Sequence, residues 1–175
     1  MRRGGFTIVE LLIVIVVIAI LATITIVAYN GIQLRGQAAA IASDLRAADK
    51  SFRLYKEASG MSTWTIDTDA SWNGSTGGNP TLASIIAYIP ALHDFLQKSP
   101  SNAGFGTASG WLYDNDNDTY SGCAANTAGV NLVLQNITNT SLALAVDQAI
   151  DDGNLSCGMV RLSGTSFTYG LDKSP

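Results

Sequence analysis

The chain has 175 residues, 14% of them charged, and its 10 basic against 14 acidic side chains give a net charge of −4. This length accommodates one domain plus a membrane segment, and an acidic chain without a basic cluster excludes DNA binding through an overall field. With one histidine, His93, and no P-loop, G-x-S-x-G, H-E-x-x-H or CxxC pair, it presents no recognisable catalytic constellation.

The first thirty residues carry most of the apolar weight. Between Arg3 and Arg35 the only charge is Glu10, and residues 11–34 form 24 consecutive uncharged positions. About 20 apolar residues suffice to cross the hydrocarbon core as a helix. A secretory signal peptide would close on an A-x-A-like site, yet the residues two beyond Ala19, Ala22 and Ala28 are Leu21, Ile24 and Asn30. A plain signal anchor accounts for the hydrophobicity and keeps Arg2 and Arg3 in the cytoplasm. It leaves Glu10 unexplained. A carboxylate in a membrane helix costs about 2–3 kcal/mol at the bilayer centre and less near its edge, so such a residue reads as functional.

The run Gly5-Phe6-Thr7-Ile8-Val9-Glu10-Leu11-Leu12-Ile13-Val14-Ile15 resembles the processing and assembly motif of type IV pilins and their pseudopilin relatives. The resemblance implies that a prepilin peptidase cuts between Gly5 and Phe6 and N-methylates Phe6. Residues 1–5 are then a leader, and the apolar helix is kept. It further implies that Glu10 neutralises the terminal amine of Phe6 on a neighbouring subunit, since a buried carboxylate and a buried ammonium are each costly alone and relieve one another when paired. The expected partners are other copies of the chain in a helical filament, the prepilin peptidase, the membrane, and an inner-membrane assembly platform with its ATPase. Direct nucleic-acid binding is not expected. Loss of residues 1–5 would remove Arg2 and Arg3, leaving 8 basic against 14 acidic side chains, or −6.

Helical periodicity continues past the membrane segment. Ile41, Leu45, Ala48, Phe52 and Tyr55 recur at steps of three and four, and Asp44, Arg46, Asp49, Lys50, Arg53 and Lys56 occupy the other positions. The spacing predicts one helix from Phe6 to Ala58, about 80 Å long, with Gly60 as its stop. Gly31 and Gly36 are candidates for bending, and the helix-kinking proline of many pilins is absent before Pro80.

Downstream, residues 61–104 read as loop with short helices at Leu82–Tyr88 and Ala91–Gln97, separated by Pro90. Strands are predicted at Gly110–Tyr113, Val130–Gln135, Gly158–Ser163 and Ser166–Leu171, the last two joined by the hairpin signal Gly164-Thr165. Residues 140–150 read as a helix with Leu142, Leu144, Val146 and Ile150 as apolar contributors. The stretch from Ala145 to Leu171 is similar to the carboxy-terminal portion of a subset of bacterial pilins. The expected fold is α+β, a long helix packed on a small antiparallel sheet. Its boundaries are 1–5 leader, 6–34 membrane and filament-core helix, 35–59 amphipathic continuation, and 60–175 globular domain.

With the body outside the cytoplasm, Cys123 and Cys157 are expected to form a disulfide; two buried free thiols are the alternative. Asp114, Asp116 and Asp118 alternate in a stretch that reads as a turn, where carboxylates can converge on calcium, a hard cation with oxygen ligands. An EF-hand loop needs glycine and glutamate where this chain has Thr119 and Ala125, and a solvated turn explains the aspartates equally well. Asp151-Asp152-Gly153-Asn154 is a second acidic turn able to lend a ligand, although capping and turn formation account for it too. No other cofactor is expected. The resemblance points to a structural subunit of a type IV pilus. A type II secretion pseudopilin or competence pilus subunit is the alternative within the class, and a signal-anchored extracytoplasmic domain the rival outside it. The expected location is the inner membrane before assembly, body outside, and an extracellular pilus (or periplasmic pseudopilus) after it.

Overall fold

The computed structural model describes residues 7–60, 81–107, 109–114 and 130–171. The chain divides into two compact units, Met1–Gly36 and Gln37–Pro175. Helix α1 runs Ile8–Ser59 and is helical through Gly31 and Gly36. Over the first unit its large apolar side chains from Leu11 to Ile26 are exposed. The hydroxyls of Thr23 and Thr25 donate to the carbonyls of Ala19 and Ala22 at 2.8 and 2.9 Å, which satisfies both donors without water.

In the second unit the same helix is amphipathic. Ile41, Leu45, Ala48, Phe52 and Tyr55 are all buried, joined by Ala38 and Ala42. Small residues there let neighbouring backbone approach while the larger ones fill the core. Helix α2 (Leu82–Tyr88) starts at Thr81, whose hydroxyl accepts from the Ser84 N–H at 3.2 Å. It buries Leu82, Ile85 and Ile86, the one-sided spacing of an amphipathic turn. Helix α3 is shorter than its sequence suggests. It spans Pro90–His93 rather than 91–97, because the chain passes into a turn in which Phe95 N–H bonds the Leu92 carbonyl at 3.0 Å.

Among the described residues the sheet has four strands, all antiparallel, in the order β1-β2-β4-β3, with β1 at Leu112–Asp114, β2 at Asn131–Leu134, β3 at Val160–Ser163 and β4 at Ser166–Gly170. The α+β expectation holds. Residues opposite one another across an antiparallel pair share a face, as do alternate residues of one strand. One face therefore carries Tyr113, Leu132, Leu134, Val160, Phe167 and Tyr169, none more than 1% exposed. The Phe52 ring of α1 stacks on Tyr113 with centroids 5.8 Å apart. Phe105 and Trp111 close on Phe167 at 4.9 and 6.0 Å. The other face buries polar groups, among them Asp114, Asn131, Thr168 and Arg161, whose Nη2 donates to Asn131 Oδ1 at 3.2 Å. Between β3 and β4, Gly164 adopts φ +58° while Thr165 does not have a positive φ, the requirement of a type II′ two-residue turn.

Helix α4 (Thr140–Ile150) is capped by Asn139, whose Oδ1 accepts from Leu142 N–H at 3.1 Å. Its inward face holds Leu142, Ala143, Val146 and Asp147. Leu144, expected among the core contributors, is 39% exposed, because the four-residue step from Ala143 brings Asp147 inward instead.

Candidate functional site

Among the described residues two constellations of polar groups stand out, one at the start of α1 and one at the end of α4. The first closes the opening turn of α1. The Thr7 N–H and hydroxyl both donate to Glu10 Oε2 at 2.8 Å, and the Glu10 N–H donates back to Thr7 Oγ1 at 3.2 Å. This reciprocal arrangement is a capping box, with Thr7 as the residue before the helix and Glu10 at its third position. The Thr-x-x-Glu spacing ahead of an apolar run is its sequence signature, and it adds Thr7 to the residues that matter here. Both donations fall on one carboxylate oxygen, so Oε1 is left for an incoming donor. The helix N-terminus also favours a negative charge in its first turn.

Around this lone carboxylate the surface is hydrocarbon. From Ile8 to Ile32 the large apolar side chains described are 47–85% exposed. Monomeric soluble proteins rarely leave apolar patches of this extent uncovered, and α1 is long and apolar enough to cross a membrane. Gly5 and Phe6, at which processing is expected, lie outside the described residues.

The second constellation lies where α4 ends. Carboxylate oxygens of Asp147, Asp151 and Asp152 stand within 4.8 Å of one another. Asp147 is fully buried and neither of its oxygens has a hydrogen-bond partner. Burial, then the neighbouring charges of Asp151 and Asp152, push its carboxyl up to about 6. The sequence marked Asp151 and Asp152 but not Asp147; the signal was helical phase, since Asp147 follows Ala143 and Leu142 by four and five residues.

The expected calcium set is different. Of its three members only Asp114 is described, and it is a buried strand residue in register with Asn131 rather than part of a solvated turn. Asp116 and Asp118 lie outside the described residues, as does Cys123. Cys157 is disulfide-bonded. His93 is exposed at the last residue of α3 and takes part in neither constellation.

Residues 1–26 match the family model of the prokaryotic N-terminal methylation motif, the class III signal peptide of type IV pilins and pseudopilins. Comparison with curated proteins and with solved structures gave no match.

Proposed function

We propose that the chain is a structural subunit of a type IV pilus filament, made as a precursor and assembled through its amino-terminal helix. The coarser part of this reading, a pilin-like or pseudopilin precursor anchored by an apolar helix, rests on the methylation motif at residues 1–26. The observation that carries the rest is Glu10. It is the one charge in a long apolar surface, and the Thr7 box fixes it with one oxygen unclaimed. Prepilin peptidase cleavage after Gly5 would free the Phe6 amine four residues away. By the resemblance to type IV pilins, the partner of Glu10 is the Phe6 amine of a neighbouring copy. Pairing removes two costly buried charges at once and sets the stagger between subunits.

In this reading residues 1–5 stay in the cytoplasm, the body lies outside, and an ATP-driven platform in the membrane extracts each subunit into the filament. Its acidic body faces solvent, the role is structural rather than enzymatic, and Cys123 bridges Cys157. Two measurements test it in cells carrying a prepilin peptidase. Mass spectrometry of the mature protein should begin at N-methylated Phe6. Glu10→Ala should leave processing intact and abolish incorporation into sheared filaments. Incorporation at the wild-type level would remove the assembly role of Glu10, and an unmethylated or uncut terminus would remove the processing step.

A further inference from the structure

We propose that the carboxy-terminal end of α4 is a divalent-cation site of the hard, oxygen-liganded class, with Asp147, Asp151 and Asp152 as protein ligands and Ca²⁺ as the ion it fits. Two independent observations carry this. Oxygens of the three carboxylates lie within 4.8 Å of one another, and ligands about 2.3–2.6 Å from one Ca²⁺ stand no more than about 5 Å apart. Separately, Asp147 is 0% exposed with both oxygens unpartnered. A buried carboxylate with no donor is strongly unfavourable. Buried polar groups in native folds are otherwise satisfied, and an ion is one of the few things that can complete this one.

The rest of the site is built to hold its shape. Met159 N–H donates to Asp151 Oδ2 at 2.6 Å and Asn154 N–H to Asp152 Oδ1 at 2.8 Å. Each bond fixes a carboxylate and leaves its second oxygen for the ion. A Cβ on Gly158, at φ +120°, would stand 2.0 Å from Asp151 Oδ2, so glycine is what admits this placement. The negative end of the α4 dipole adds to the attraction for a cation. Arg46, the basic side chain that α1 brings to this helix end, donates to the Ala149 carbonyl at 2.6 Å and to none of the three carboxylates. Asp151 and Asp152 are exposed, so the cluster opens to solvent through them and water can fill the remaining coordination positions.

The test uses the full chain in detergent micelles, stripped with EDTA and titrated with CaCl₂ or MgCl₂. Calcium should bind saturably, with a Kd in the range of about 10⁻⁴–10⁻³ M typical of extracellular modules. It should raise Tm by about 5–10 °C at a hundredfold excess over that Kd. Asp147→Asn and Asp152→Asn should each weaken binding at least tenfold. In EDTA, Asp147→Asn should leave Tm unchanged or higher, because it removes an uncompensated buried charge while keeping the shape. Asp152→Asn is exposed and separates loss of the site from loss of the fold. No calcium-dependent change in Tm, or an unaltered response in both variants, overturns the proposal. An equal response to MgCl₂ overturns the assignment to calcium.

Discussion

Glu10 and Asp147 are both carboxylates in apolar settings, and local geometry treats them oppositely. Glu10 is exposed and takes two donations from Thr7, so its charge is held in a fixed place at the helix start. Asp147 is buried with neither carboxylate oxygen hydrogen-bonded among the described residues, and burial, then the like charges of Asp151 and Asp152, push its carboxyl from the usual 3.8 up to about 6. The sign of the consequence follows. Below about pH 4 the folded and unfolded chains both hold this proton; between about 4 and 6 only the folded chain does, so stability falls as pH rises through that window and stays lower above it. In EDTA, with Arg46 remaining on Ala149, Tm should rise on going from about pH 7 to about pH 5. Asp147→Asn should flatten that rise. A Tm that is flat for the wild type over this range would mean that Asp147 is already neutral or already charge-compensated.

At the scale of elements, burial decides which residues of α1 matter to the body. Phe52 is 0% exposed and stacked on Tyr113, whereas Leu54, two positions on, is 41% exposed. Phe52→Ala should destabilise by about 3–5 kcal/mol through lost transfer and a residual cavity, and Leu54→Ala by less than about 0.5 kcal/mol; chemical unfolding of the two variants checks the contrast. This stripe was legible beforehand because Ile41, Leu45, Ala48, Phe52 and Tyr55 repeat at helical spacing without a gap. The β3–β4 hairpin was legible because a two-residue turn with glycine first admits few alternatives. Helix α4 was harder. Leu144 sits between Leu142 and Val146, and eleven residues allow more than one helical phase until the sheet supplies the face they pack against. The phase that wins turns an aspartate inward, which no hydrophobic pattern would choose. The cation cluster was therefore only half visible in the sequence. The Thr7–Glu10 box is also written in the sequence, as Thr-x-x-Glu ahead of an apolar run, but a carboxylate there serves a helix start and an intersubunit pair equally, so the spacing alone does not distinguish the two.

Across the whole molecule, the two units draw on different sources of stability. The unit Met1–Gly36 offers exposed hydrocarbon that a bilayer or a bundle of copies must cover. The unit Gln37–Pro175 has its own core of aromatic and aliphatic side chains, and the proposed Cys123–Cys157 bridge would act on this unit alone. Closing a loop of about 33 residues removes conformational freedom mainly from the unfolded chain, a stabilisation of about 3–4 kcal/mol. For a domain of this size that corresponds to a Tm lower by about 6–16 °C on reduction. Membrane partition, set by the apolar helix, should not change. Thermal unfolding in micelles with and without reductant, together with flotation of the same samples on liposomes, measures both quantities. If mass spectrometry shows both thiols reduced and alkylated while Tm is unmoved, the bridge does not restrain the body. If flotation falls together with Tm, the separation between a membrane-stabilised helix and a self-stabilised body is wrong.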